Sequence, residues 1–165
     1  WLTQTYDDLC NLEYFHKSND VSVVSSLKHQ HRTNFITKLL QQCTNIDTYG
    51  AVGGNIIDQS TRDYVFINYS KSICIENCAQ ANYFTEKFTD CILSWCLPIY
   101  WGCPNISDFF PEDSFRLIDI NDMSSAIDII SAPVTKKEID ALREARELIL
   151  NKYNIWQCVS NFVNS

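Results

Sequence analysis

The chain has 165 residues and a formal net charge of −7, which suits one domain with a core or half of a two-domain enzyme. This acidic balance excludes a general nucleic-acid binder, which needs a basic stripe to contact phosphates. It leaves room for a small anionic ligand, because a few Arg or Lys side chains at a helix start are enough to bind one.

Segments with strand character alternate with segments of helical periodicity along the chain. Strands are predicted at Val21–Val24, Asn45–Tyr49, Ile73–Ile75, Leu97–Trp101 and Phe115–Ile118, with a turn region at Gly50–Asn55. Helices are predicted around Phe35–Cys43, at Asp63–Tyr69, from an N-cap at Thr85, at Met123–Ile130 and from Lys136 to Tyr153. This alternation predicts an α/β fold, a Rossmann-like three-layer domain with a mainly parallel sheet. We place that domain at residues 21–165, after an N-terminal stub or interdomain segment at residues 1–20.

Two cationic residues are predicted at helix starts that follow strand ends. Lys87 stands in the helix that begins after Thr85, and Arg32 opens the earlier helix. A cation at a helix start is unfavourable unless an anion lies nearby, so a diphosphate held by both residues would explain them. The alternatives are a solvated helix start and a surface arginine. The diphosphate hypothesis requires both Cα atoms at the carboxyl edge of the sheet and on the same face of it.

Four segments carry a resemblance to a known family. They are Ile75-Glu76-Asn77, Tyr83-Phe84-Thr85-Glu86-Lys87, the run from Leu97 to Pro104 (LPIYWGCP), and the run from Phe110 to Phe115 (FPEDSF). In this order and spacing they resemble the signature of the α1,3/α1,4-fucosyltransferases of glycosyltransferase family 10. The similarity covers most of residues 21–130. One departure is Ile75, which stands where the family's motif has an aromatic residue.

The resemblance implies that this chain is the C-terminal, donor-binding domain of a GT-B enzyme with two Rossmann-like domains. Such an enzyme moves fucose from GDP-fucose to an oligosaccharide hydroxyl with inversion and is expected to need no cofactor and no metal. The donor-binding residues implied are Arg32 and Lys87 on the diphosphate, Tyr83 and Glu86 near the ribose or phosphates, Asn77 lining the pocket, and Glu76 in a role less defined.

The general base and the acceptor site of the family have no recognisable counterpart in the chain. An inverting transfer needs a base that takes the proton of the acceptor hydroxyl, and no motif marks Asp7, Asp8 or Glu13 as that base. We therefore expect a missing or separate acceptor-binding domain. Two alternatives stay open: a transferase that uses another GDP-sugar, and a catalytically silent module that binds nucleotide sugars.

The remaining residues of interest favour structural interpretations. His29 and His31 have no third ligand near them in sequence, so we expect them at a pocket rim and not on a metal. Trp95, Tyr100 and Trp101 are expected in the core more than in a sugar-stacking platform.

The cysteines and the N-terminus bear on the compartment. The chain has eight Cys, and we expect Cys43, Cys74 and Cys91 to be buried thiols, which favours a cytoplasmic protein. A microbial or viral enzyme would be cytoplasmic or peripheral to the membrane, whereas a eukaryotic one would be in the Golgi lumen. The start at Trp1 has no signal-peptide pattern and no initiator Met, so the true N-terminus is predicted to be missing.

Overall fold

The computed structural model describes residues 2–26, 28–51 and 59–154. Its strands are β1 (Asn19–Ser25), β2 (Ile46–Gly50), β3 (Tyr69–Ile75), β4 (Leu97–Trp101) and β5 (Arg116–Leu117). Its helices are α1 (Tyr6–Asn11), α2 (Gln30–Gln42), α3 (Gln59–Asn68), α4 (Glu86–Leu93), α5 (Met123–Ser131) and α6 (Lys136–Asn151). Short 3-10 turns at Ile106–Asp108 and Glu112–Ser114 connect β4 to β5.

The five strands form one parallel sheet in the order β2-β1-β3-β4-β5. The chain moves outward from β1 to β2, then crosses back over β1 to β3 and continues in the other direction. The order therefore reverses between β1 and β3, and in open sheets of this kind ligands bind in the crevice at that point.

Two hydrophobic clusters lie on opposite faces of the sheet. On one face α2 and α5 pack through Phe35, Leu39 and Ile130 against Val23 and Ile99. On the other face α3, α4 and α6 cover the sheet, and the members of that cluster include Val65, Phe66, Phe88, Cys91, Tyr100, Leu142 and Ala145. Helices on both faces of a parallel sheet confirm the predicted three-layer α/β fold.

The N-terminal segment packs against the amino-terminal edge of the sheet. The carbonyl of Leu12 accepts a hydrogen bond from Trp95 Nε1 at 2.7 Å, and Arg146 Nη2 donates to the carbonyl of Leu9 at 2.6 Å. Lys17 is buried and donates to the carbonyls of Ile67 and Ser94, at the ends of α3 and α4. Residues 2–18 thus lie at the edge where β3 and β4 begin.

The predicted elements correspond closely to the observed ones, with three corrections. Tyr69 opens β3 and does not end α3, and β3 extends back from the predicted Ile73 through Lys71. Lys71 is completely buried because its Nζ donates to the carbonyls of Ile130 and Ala132. The helix α1 was not predicted. Of the predicted turn at Gly50–Asn55, residues 52–55 lie outside the described part of the chain.

The cysteines of the described segments are all free thiols. Cys74 and Cys91 are buried as predicted, with their Sγ atoms 3.2 Å apart. Cys43 contradicts the prediction, because it follows the last residue of α2 and is half-buried. Burial first, and hydrogen bonds to Cys74 and Cys96 next, raise the pKa of Cys91, which makes this thiol a weak nucleophile.

Candidate functional site

The candidate site is the crevice between the carboxyl ends of β1 and β3. The helix that follows β1 begins at Gln30 on one side of it, and the loop from Glu76 to Thr85 leads into α4 on the other side. Both helix starts therefore present free backbone N–H groups at the edge where the strand order reverses. The crevice combines a topological switch point with two helix N-termini, which favours binding of an anionic ligand.

Arg32 is buried in this crevice, with a relative exposure of 5%. Its Nη1 donates to the carbonyl of Ile75 and to Asn77 Oδ1, both at 3.3 Å, and its Nη2 donates to Ser26 Oγ at 3.0 Å. The Nε atom is buried without a partner among the described residues. Burial lowers the pKa of Arg32, and the charge of Glu76 opposes that shift. Arg32 is therefore not a surface arginine.

Glu76 joins the end of β3 to the start of α4. Its side chain is completely buried, and Oε1 accepts the backbone N–H of Thr85 at 2.7 Å. Lys87 Nζ lies 3.3 Å from Glu76 Oε2 and 3.0 Å from Thr85 Oγ1, while Thr85 also caps α4 as predicted. A buried carboxylate with these partners fixes the position of Lys87, whose side chain stays 26% exposed. Glu76 itself lies beneath the surface of the crevice.

Gly102 follows β4 directly, at a point where the backbone passes so close to Glu76 that only glycine fits. A Cβ atom at Gly102 would lie 2.6 Å from Glu76 Cγ and 2.6 Å from the hydroxyl of Tyr100. Both contacts are shorter than a side-chain carbon tolerates. Neither neighbour can move aside, because Glu76 and Tyr100 are both fully buried. The glycine of the LPIYWGCP run thus makes room for the carboxylate that positions Lys87.

The other predicted donor-binding residues surround the same crevice. Asn77 is exposed and holds Arg32 through its Oδ1. Tyr83 is half-buried in the loop before α4, and Glu86 opens α4 with its Oε1 3.7 Å from Lys87 Nζ. The loop is tied to the β4–β5 connection by paired amides of Asn82 and Asn105, an interaction that sequence reasoning missed. All six predicted residues therefore lie at one edge of the sheet.

The placement of Arg32 and Lys87 agrees with one part of the prediction and corrects another. Both residues stand in the first turn of a helix at the carboxyl edge, as predicted. Their helices, however, cover opposite faces of the sheet. The requirement for a common face was wrong. Helices that follow the strands on the two sides of a switch point lie on opposite faces of the sheet, but both of their N-termini point at the crevice.

The aromatic residues and histidines complete this edge. His31 lies at the rim, with Nε2 3.2 Å from the carbonyl oxygen of Glu76 and its ring 5.2 Å from that of Trp101. Trp101 is half-buried there, whereas Trp95 and Tyr100 are in the core as predicted. Within the described ranges, no group of three or more His, Cys, Asp or Glu side chains is arranged to hold a metal ion.

A second cleft, with a volume of about 530 Å³, lies at the opposite, amino-terminal edge. Trp95, Arg143, Arg146 and Glu13 are among its lining residues. Arg146 holds the carbonyls of Leu9 and Leu12 and lies over the Trp95 ring, so its visible role is to fasten the N-terminal segment. Asp8 of that segment is engaged in the capping box of α1. This cleft lies at the opposite edge from the switch point, and none of its lining residues comes from the first turn of a described helix.

The fold is that of one domain of the GT-B glycosyltransferases. A UDP-forming trehalose-phosphate synthase from Burkholderia xenovorans superposes on 88% of the chain and 43% of its own length with a TM-score of 0.58, at only 10% identity. The family model for the C-terminal part of glycosyltransferase family 10 (fucosyltransferase) matches residues 15–156. The chain therefore belongs to glycosyltransferase family 10, as its motifs indicated.

Individual relatives agree with this assignment. The chain is 37% identical to a Helicobacter pylori α-(1,3)-fucosyltransferase over 79 residues, 46% of this chain and 16% of that protein. It is 29% identical over 107 residues to α-(1,3)-fucosyltransferase B of Drosophila melanogaster, 57% of this chain and 24% of the relative. A crystal structure of an α1,3-fucosyltransferase with GDP matches 78% of this chain and 39% of its own with a TM-score of 0.62 and 29% identity. The chain thus spans less than half of the relatives that it matches.

Proposed function

We propose that this chain binds the GDP part of GDP-fucose in the crevice between β1 and β3, as the donor half of an inverting fucosyltransferase. The observation that carries the proposal is the buried Arg32, whose Nε lacks a partner among the described residues, across the crevice from Lys87. A buried guanidinium with an unused donor is costly unless an acceptor, such as a phosphate oxygen, completes its hydrogen bonds. A diphosphate would complete them and would also offset the charge of Lys87.

In this proposal Arg32 and Lys87 neutralise the diphosphate from the two sides of the crevice. Arg32 offers a planar set of donors and Lys87 a point charge, so no divalent cation is required. Tyr83 and Glu86 would contact the ribose or the phosphates, and Asn77 would line the donor pocket. Glu76 acts indirectly, because its buried carboxylate sets the position of Lys87.

The acceptor and the general base would come from outside the described residues. Two acids of the N-terminal segment lie at the amino-terminal edge, Asp8 in the capping box of α1 and Glu13 in the lining of the second cleft. An acceptor-binding domain would therefore supply the oligosaccharide site and the base. No helix within the described segments is long and apolar enough to cross a membrane. A cytoplasmic location, and a Golgi lumen for a eukaryotic source, remain alternatives within the proposal.

Calorimetric titration with GDP, GDP-fucose, GDP-mannose and UDP tests the donor assignment. We expect GDP and GDP-fucose to bind, UDP to bind more weakly by at least about tenfold, or about 1.4 kcal/mol, and a chelator to leave the GDP affinity unchanged. Equal binding of GDP-mannose and GDP-fucose would favour the alternative of another GDP-sugar. Absence of GDP and GDP-fucose binding would refute the donor-domain proposal, including the alternative of a silent module.

A matched transfer assay separates the half-enzyme from the complete enzyme. Orientation of the acceptor and general-base help together supply several orders of magnitude in rate, so the chain with GDP-fucose and an N-acetyllactosamine acceptor should show no turnover above background. Robust transfer by these 165 residues alone would contradict the proposal that a further domain supplies the base.

A further inference from the structure

His29 lies at the candidate site in a position that its local structure does not explain. It is the N-cap residue of α2, but its side chain makes no capping hydrogen bond, and only its backbone carbonyl accepts bonds from Thr33. The residue is half-buried, and its ring lies 6.0 Å from the ring of His31. An N-cap is ordinarily Ser, Thr, Asp or Asn, so the imidazole is not there to cap the helix.

The positive charges that act on His29 come from its own helix, from the preceding loop and from α4. Partial burial first, and then the charges of Arg32, His31, Lys87 and Lys28, lower the pKa of His29. The two carboxylates of the site are directed elsewhere, because Glu76 is bonded to Thr85 and Lys87, and Glu86 lies 3.7 Å from Lys87 Nζ. From β4 the site receives the Trp101 ring, which packs on His31. The cationic surroundings thus favour a neutral His29 while the crevice is empty.

His31, unlike His29, is already engaged by its neighbours within the protein. Its Nε2 lies 3.2 Å from the carbonyl oxygen of Glu76, so Nε2 already carries a hydrogen that it donates there. Its ring is also packed against Trp101. His29 has neither restraint among the interactions described, and it stands at the helix start beside Arg32.

We propose that His29 is a protonatable contact for the donor diphosphate, and that donor binding takes up one proton from solvent at this imidazole. The inference rests on the proposed function. In the empty crevice the charges of Arg32 and Lys87 repel a protonated His29. When the diphosphate enters, its negative charges outweigh this repulsion, which favours the imidazolium form of His29. No bond to carbon or phosphorus is made or broken in this step, and the proton comes from the buffer.

The linkage has a defined sign. Because the pKa of His29 is higher with the diphosphate bound than in the empty crevice, the added affinity is fully present below the pKa of the empty state. It is lost as the pH rises through the pKa of the bound state. The affinity for donor should therefore increase as the pH falls from about 8 to about 6, the range in which histidine titrates.

Calorimetry of GDP-fucose in two buffers of different protonation enthalpy, such as PIPES and Tris, measures the proton uptake directly. GDP-fucose is the right ligand because both phosphates of its diphosphate are esterified and do not titrate near neutral pH, whereas the terminal phosphate of GDP does. At pH about 7 we expect a clear positive proton uptake for the wild type, close to none for His29→Gln, and wild-type uptake for His16→Gln. His16 is the control because it is exposed and lines a small cavity at the opposite edge.

The outcomes separate this inference from the function on which it rests. GDP-fucose binding without any buffer dependence in the wild type would overturn the inference and leave the donor site intact. So would retention of wild-type uptake by His29→Gln, or loss of uptake in His31→Gln alone. A chain that does not bind GDP-fucose would overturn both. His29→Asn, which retains an N-cap residue, gives the same test should His29→Gln lower stability.

Discussion

Replacement of Glu76 by Ala is expected to lower the free energy of unfolding by about 3 kcal/mol, because a buried charge pair would lose one partner. The carboxylate is completely buried and accepts hydrogen bonds from the Thr85 backbone, the Thr85 hydroxyl and Lys87 Nζ. Lys87 is 26% exposed and can recover some hydration, so the loss should lie near the lower end of the range for buried pairs. Urea denaturation of the chain measures it.

One further variant at this position, Glu76→Gln, separates charge from shape. Glu76→Gln should lose less stability than Glu76→Ala, because the amide oxygen can still accept the Thr85 N–H, although it no longer offsets Lys87. Glu144→Ala is the control, since this carboxylate is exposed on α6, and surface changes of this kind usually stay within about 0.5 kcal/mol. A Glu76→Ala chain as stable as Glu144→Ala would contradict the structural role assigned to Glu76.

Replacement of Lys87 by Ala is expected to weaken GDP binding by at least about tenfold. A charge-assisted hydrogen bond contributes about 1.5–3 kcal/mol, and about 1.4 kcal/mol corresponds to one factor of ten in affinity. Arg32→Ala should weaken binding similarly but will also reduce stability, because Arg32 holds the carbonyl of Ile75. Lys87→Ala is therefore the cleaner variant, and calorimetric titration with GDP is the measurement.

Lys38 provides the matched control for this experiment. It is an exposed lysine on α2, the same helix as Arg32, but it lies beyond the first turn. Lys38→Ala changes the net charge as Lys87→Ala does, so a general electrostatic effect would weaken GDP binding equally in both. Equal affinities of Lys87→Ala and Lys38→Ala for GDP would mean that Lys87 does not contact the diphosphate.

The parts of the fold that sequence reasoning predicted well are those with strong local signals. LPIYW is a continuous apolar strand, and Thr85 is both an N-cap residue by type and the observed cap of α4. The misses have long-range causes. The start of β3 at Tyr69 was hidden because Lys71 is polar. Its burial depends on distant partners, namely the carbonyls of Ile130 and Ala132 and the carboxylate of Asp20. Helix α1 is one short amphipathic segment with a single buried residue, Leu9.

The candidate site also has features that could be predicted from the sequence and features that could not. The positions of Arg32 and Lys87 after strand ends could be predicted, since a parallel sheet brings all carboxyl ends to one edge. The burial of Arg32 could not, because it depends on acceptors that Ile75 at the end of β3 and Asn77 in the following loop supply. The indirect role of Glu76 was equally hidden, since nothing in the sequence distinguishes a carboxylate under a helix start from one that faces a ligand.

Hydrogen–deuterium exchange of the wild-type chain with and without GDP tests most directly where the nucleotide binds. GDP at the switch point should slow exchange at the start of α2, in residues 28–34, and in the loop and helix start at residues 77–89, where backbone N–H groups face the crevice. Exchange at the amino-terminal edge, around Leu12, Trp95 and Arg146, should not change. Slower exchange confined to that cleft, with none in residues 28–34 or 77–89, would contradict the assignment of the donor site to the crevice between β1 and β3.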